Sequence, residues 1–284
     1  MILRIDAHQH YWDPRRGDYG WMPPDDPVLT RSYGPAELAP ELAAAGIDRT
    51  VLVQAAPTVV ETDYLLEIAE ATPSVAAVVG WIDFEDRAQL RHLERWRRHP
   101  KFAGVRPMIQ DIPDAGWMLR DDVQWAYQAL IDLDLTFDAL GFPLHMLNFL
   151  AVMKRYPTLR VVLDHALKPR IRDHGTAAEA FAVWADGMQR IAGETGAFCK
   201  LSGLVTEAAA DWRDAELAPY VETVLDAFGP ERVMWGSDWP VCRLRGDYAR
   251  WHASAQALCA GLTESQRAAV FGGTAARFYG FGGS

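Results

Sequence analysis

Eight times along the chain, a short apolar or β-branched run is followed by a segment whose apolar residues fall three and four apart. The runs are Ile2–Ala7, Thr50–Gln54, Val75–Ile82, Ala103–Met108, Leu135–Leu140, Arg160–Asp164, Ala197–Leu201 and Arg232–Gly236. The helical segments lie near Pro35–Ala45, Asp63–Ala71, Arg87–Arg98, Asp121–Leu130, Leu144–Arg155, Ala177–Ile191, Glu216–Phe228 and Asp247–Leu258. Strands that alternate with helices pair in parallel through crossovers. Eight such units predict a closed α/β architecture, the (β/α)8 TIM barrel, which at 284 residues fits one domain over 1–284. The alternative is a doubly wound open sheet. Against it, no GxGxxG follows an early strand, so the phosphate fingerprint of that fold is missing.

Two loops exceed what a connection needs. Residues 11–33 form a Pro-, Trp- and Asp-rich loop after the first strand, and 109–119 an irregular stretch after the fourth. Both are expected at the C-terminal face of the barrel, where such folds keep their chemistry. The net charge of −10 disfavours general binding to phosphate backbones. No stretch approaches the ~20 apolar residues of a membrane span, and the start MILRIDAHQH lacks a signal-peptide core. Cys199, Cys242 and Cys259 form neither a disulfide framework nor a zinc knuckle. The expectation is a soluble cytoplasmic protein with a small-molecule partner, without nucleic acid or membrane, and with a homo-oligomer open.

The strand ends carry the chemistry. In Asp6-Ala7-His8-Gln9-His10, strand alternation puts Asp6, His8 and His10 on one face, the imidazoles nearest the catalytic rim. Two such imidazoles suit one divalent metal or one substrate oxygen. His165 ends the sixth strand, followed by Lys168 and Pro169, which are expected to shape the loop. Asp238, in Gly236-Ser237-Asp238-Trp239-Pro240, emerges beside His8 and His10, because strands one and eight are neighbours in a closed barrel. Ionised at neutral pH, it suits a general base. Arg106 and Lys200 interrupt runs expected to be buried, so each either pairs with a carboxylate such as Asp6 or Asp164 or faces a polar pocket. His92, His99 and His252 read as surface residues, His145 as structural, and His174 as a polar-loop residue without an evident partner.

These residues match a known pattern. The HxH after strand one, the His after strand six and the Asp after strand eight resemble the amidohydrolase superfamily. The phrases VVGWIDF, VRPMIQD, LDHALKP, CKLSGLVTEA, FGPERVMWGSDWPV and FGGTAARFYG are similar to its sugar-lactonase branch, and the likeness runs nearly end to end. The resemblance implies hydrolysis of a sugar-acid lactone such as an L-fucono-lactone, with Asp238 as base and His8, His10, His165, Arg106 and Lys200 around the carbonyl. Metal-dependent members add a bridging carboxylate at strand four and a histidine ending strand five. Here those places hold Arg106 and an Asp138-bearing strand, which disfavours a binuclear centre. One Zn2+ on His8, His10, His165 and Asp238, or no metal at all, is expected.

For the sugar, the reading assigns Trp12, Trp21, Trp117 and Trp239 as stacking faces and Gln54, Asp83, Gln110 and Asp138 as hydroxyl partners. Three alternatives stand beside it: a zinc-dependent decarboxylase of the same superfamily, a 2-pyrone-4,6-dicarboxylate-type lactonase, and a non-catalytic barrel that holds sugar acids.

Overall fold

The computed structural model describes residues 3–173 and 178–281, so Ile2, Ala177 and His174 lie outside the described residues. Eight parallel strands follow one another in sheet order β1 to β8. They are β1 (Ile5–Gln9), β2 (Arg49–Val53), β3 (Val75–Gly80), β4 (Phe102–Val105), β5 (Thr136–Ala139), β6 (Arg160–Leu163), β7 (Phe198–Leu201) and β8 (Val233–Trp235). The ring closes just beyond the last strand. Asp238 N–H donates to His8 O at 2.8 Å and His10 N–H to Trp239 O at 2.7 Å, so the first and last strands join at the positions that carry the candidate chemistry.

Helices α1 (Pro35–Ala45), α2 (Val59–Ala71), α3 (Leu90–Trp96), α4 (Gln124–Asp132), α5 (Met146–Arg155) and α6 (Ala178–Glu194) follow β1 to β6. A short α7 (Leu204–Glu207) and α8 (Asp214–Phe228) follow β7; α9 (Tyr248–Leu258), α10 (Glu264–Ala268) and α11 (Thr274–Tyr279) follow β8. Side chains alternate along each strand, so the barrel has two apolar layers. Leu52, Phe137, Leu163, Cys199 and Trp235 pack outward in the main core. Ile5, Ala7, Val51, Val53, Val79, Val162 and Met234 form a separate inner cluster, in which Phe278 and Tyr279 of α11 also take part. The helices present a matching stripe; α5 buries Met146, Phe149, Leu150, Val152 and Met153. Thr58 caps α2 by accepting Glu61 N–H, and Asp247 caps α9 by accepting Arg250 N–H.

One register expectation fails. The pairing of β1 with β2 shifts between Asp6 and Gln9, and this irregularity takes Asp6 off the face of His8 and His10. Its carboxylate instead accepts Ser237 N–H at 2.8 Å, His8 N–H at 3.2 Å and the Tyr248 hydroxyl at 3.1 Å. Asp6 therefore ties β1 to the β8 loop and α9. Burial raises it to about 6 against those donors.

Candidate active site

The loops that carry the candidate residues are unusual in their backbone. After β6, His165, Ala166, Leu167 and Lys168 all have positive φ, between 49° and 57°. Such a left-handed turn costs on the order of 1 kcal/mol per residue without glycine, so the surrounding packing holds it. It brings Asp164 to His8 and Lys200, and His165 and Lys168 into the cavity that Asp238 also lines. Gly203, at φ +62°, makes room for it: a Cβ there would lie 2.5 Å from His165 Nδ1. Gly236 does the same for β1, since its Cβ would lie 2.6 Å from that of His8. Asp238 itself sits at φ 56°.

Four groups predicted from the strand ends converge. Asp238 Oδ1 lies 3.3 Å from His10 Nε2, 3.7 Å from His8 Nε2 and 3.9 Å from His165 Nε2. His8 and His10 approach within 3.2 Å through their Nε2 atoms. Arg106 Nη1 lies 3.4 Å from both His8 Nε2 and Asp164 Oδ2, while its other nitrogen donates to the Gln54 carbonyl. All are almost completely buried.

Beneath them lies a charge cluster. Lys200 Nζ is 2.6 Å from Asp138 Oδ2, 2.9 Å from Asp164 Oδ1 and 3.2 Å from His8 Nδ1, and the Tyr279 hydroxyl donates to Asp138 at 2.6 Å. Two cations, Lys200 and Arg106, thus face two carboxylates. Burial raises the Asp138 carboxyl against the pull of Lys200. Burial also opposes ionisation of Asp164, but Lys200, His8 and Arg106 together hold it well below the usual range.

The proton positions follow. His10 Nδ1 donates to Val53 O at 2.8 Å, which leaves a lone pair on Nε2 facing Asp238. An ammonium cannot accept, so Lys200 favours the His8 proton on Nε2, while Asp164 Oδ1 at 3.5 Å from Nδ1 offers a second seat for it. Burial lowers all three imidazoles, His165 to about 4, so they are neutral at pH 7. Burial would raise the Asp238 carboxyl too, yet its imidazole neighbours hold it below the ordinary carboxylate range. Because those rings are neutral at pH 7, N–H donation such as that from His8 Nε2, and not imidazolium charge, supplies the stabilisation there, while the His10 lone pair supplies none.

His8, His165 and Asp238 offer donor atoms that lie within 4.8 Å of one another, all buried. Two imidazoles and a carboxylate suit a single zinc ion. Arg106, a cation and not a carboxylate, stands 3.4 Å from His8 Nε2, and His8, His165 and Asp238 form one donor group among the described residues, so the set fits one ion rather than two.

The cavity above Asp238 measures about 90 Å³ and is lined by His10, Trp12, Trp21, Arg106, Gln110, His165, Lys168 and others. Of the expected sugar contacts, it therefore takes in Trp12, Trp21 and Gln110. Gln54 is buried and donates to Arg106 O, holding that strand end. Asp138 lies on the floor with Lys200, and Trp239 is wholly buried against Tyr11 and Tyr33. Asp83 and Trp117 line a second cavity, described below. Lys168, expected only to shape its loop, instead reaches the cavity and donates to Gln110 Oε1 at 2.5 Å. A left-handed turn has no apolar periodicity to announce it, and a lysine before proline was the sole trace. His145 is structural, its Nδ1 accepting Phe142 N–H at 3.0 Å.

A model of the amidohydrolase family matches residues 5–281. The chain is 44% identical over 283 residues to an L-fucono-1,5-lactonase of Burkholderia ambifaria, covering 98% of this chain and 96% of the relative. It is 37% identical to an L-fucono-1,5-lactonase of Burkholderia multivorans over 98% and 96%. A crystal structure of a Burkholderia multivorans amidohydrolase with bound zinc superposes with a TM-score of 0.92 at 36% identity, covering 99% of this chain and all of that one.

Proposed function

The chain belongs to the amidohydrolase family, and we propose that within it, as one barrel domain, it opens a sugar-acid lactone of the L-fucono-1,5-lactone type. The observation that carries this reading is a buried Asp238 whose Oδ1 lies 3.3–3.9 Å from three imidazoles at the wall of a cavity that Arg106 and Lys168 also line. Near-complete chain coverage of two curated L-fucono-1,5-lactonases supports the substrate class.

Water held by Asp238 attacks the lactone carbonyl carbon as Oδ1 takes its proton. The carbonyl oxygen becomes an oxyanion facing the His8 Nε2–H and the Arg106 guanidinium, donors of the kind whose removal costs about 10²–10³ in rate. The C–O bond to the ring oxygen then breaks, and the Asp238 carboxyl returns its proton to that oxygen, giving the open hydroxy acid. A carboxylate held below its ordinary range is a weak base, which suffices because the cyclic ester is already reactive. Lys168 and Gln110 orient the ring hydroxyls, and Trp12 and Trp21 wall in the sugar. Lys200 and Asp138 act from below by fixing the His8 ring.

His8, His165 and Asp238, with His10 alongside, would hold a single zinc, for which His8 would carry its proton on Nδ1 toward Asp164. When bound, that ion supplies Lewis-acid polarisation of the carbonyl. The test is a panel of sugar lactones followed with a pH indicator. Acid release from L-fucono-1,5-lactone or a close stereoisomer is expected, and no acid from any member would refute the reading.

A further inference from the structure

The cavity at Asp238 is small. At about 90 Å³ it falls well short of the ~300–1,000 Å³ usual for small-molecule sites. Beside it lies a second cavity of about 590 Å³, an ordinary size for a ligand. The two share Trp21 and Met108 as common wall. Trp21 is 37% exposed but anchored, its Nε1–H donating to Ala55 O at 2.6 Å.

The outer cavity has a definite chemistry. Trp21, Trp81 and Trp117 contribute aromatic walls and Asp83 a carboxylate, while Asp18, also on the wall, is paired with Arg16 at 3.0 Å and accepts the Thr58 hydroxyl. Trp117 is fixed by an Nε1–H bond to Glu85 at 2.7 Å, and Asp83 by accepting Glu85 N–H at 2.8 Å. No lysine or arginine lines it among the described residues. An anionic extension such as a second carboxylate would therefore meet carboxylates and no lining cation. A purely apolar one would leave the carboxylates unused. A pyranose ring uses both: its C–H face covers indole, and its hydroxyls donate to Asp83.

We propose that the outer cavity is a subsite for a neutral glycosyl group carried by the lactone, so that the preferred substrate is a glycosylated aldonolactone rather than the bare monosaccharide lactone. This rests on the lactonase reading above and extends it outward from Asp238. The lactone end occupies the inner cavity, and the appended sugar passes Trp21 and Met108 to lie against Trp81 and Trp117.

The test compares kcat/KM for L-fucono-1,5-lactone with its mono-glucosyl derivatives at O2, O3 and O4, and with the corresponding benzyl ethers. At least one glucosyl isomer is expected to exceed the parent by about tenfold, the worth of one well-stacked ring with its hydrogen bonds. That ratio, measured within each variant so that any loss of folded protein cancels, is expected to fall toward one in Trp81→Ala and to drop in Asp83→Asn. Turnover of the parent with no isomer above it would overturn the subsite and leave the lactonase reading intact. An equal gain from benzyl groups, insensitive to Asp83→Asn, would overturn the sugar assignment. Failure to turn over any of these lactones would overturn the lactonase reading, and the subsite with it.

Discussion

Replacing Lys200 by Met tests whether the buried cluster beneath the site is held by charge balance. Lys200, Asp138 and Asp164 are completely buried, and Lys200 is the only cation touching Asp138 among the described contacts. Asp164 keeps Arg106 at 3.4 Å, so Asp138 is the group left uncompensated. Its cost is bounded by the alternative of taking up a proton. From an unfolded value near 3.9, neutralising it at pH 7 costs about 3 units at ~1.36 kcal/mol each, or about 4 kcal/mol. Removal of one partner from a buried pair costs a similar 3–5 kcal/mol. In the variant, the Asp138 folded value stands above its unfolded one, so its share of stability is present below pH ~4 and is lost as pH rises. Because burial already raises Asp138 in the parent protein, the gap is expected to be at most about 4 kcal/mol at pH 7 and about 2 at pH 5.5, and to close near pH 4 apart from packing. Urea unfolding at the three pH values measures it, with Lys200→Met/Asp138→Asn recovering most of the loss at pH 7. A gap below 1 kcal/mol at pH 7, or one independent of pH, would refute the reasoning.

Asp238→Asn is expected to lower kcat by about 10²–10⁴-fold with KM changed only a few-fold, and undiminished turnover would exclude Asp238 as the base. Asp6, raised to about 6 by burial, contributes stability present below pH ~4 and lost as pH rises through 6. Asp6→Asn should flatten the dependence of unfolding free energy on pH across that window, and an unchanged slope would rule this out. Elemental analysis of purified protein is expected to find no more than one zinc per chain; two would contradict the single-ion donor set. Gly236→Ala, whose new Cβ would meet His8 Cβ at 2.6 Å and His8 N at 2.9 Å, should lower both melting temperature and kcat. Wild-type behaviour would mean that β1 can give way there.

The barrel was legible because each of its eight units repeats the same physical demand, an apolar run followed by a one-sided helix. The continuous apolar run Val161, Val162 and Leu163 pointed to a buried strand, and helix α1 spans Pro35–Ala45 as its apolar spacing placed it. The histidines and Asp238 were legible because polar residues at the ends of apolar strands have few other reasons to be there. What escaped was set by tertiary structure. The β1 irregularity that turns Asp6 away depends on pairing with β2, and Lys168 enters the site through a turn that no local propensity favours. Asp138 and Lys200 read as pocket residues because a charge inside a strand looks the same whether it meets substrate or a partner charge. The outer cavity combines residues from four separate loops, a proximity that no single segment displays.

Joining β1 to β8 through His8, His10, Asp238 and Trp239 means that the residues which complete the ring are those which complete the chemistry. His10 and Asp238 stand 228 positions apart, so nearly the whole polypeptide must be synthesised before they can meet. A partially folded molecule with an open seam would lack the enclosed carboxylate and be inert. Turnover can thus serve as a probe of ring closure, and its recovery during refolding should track the slowest, most non-local step of assembly.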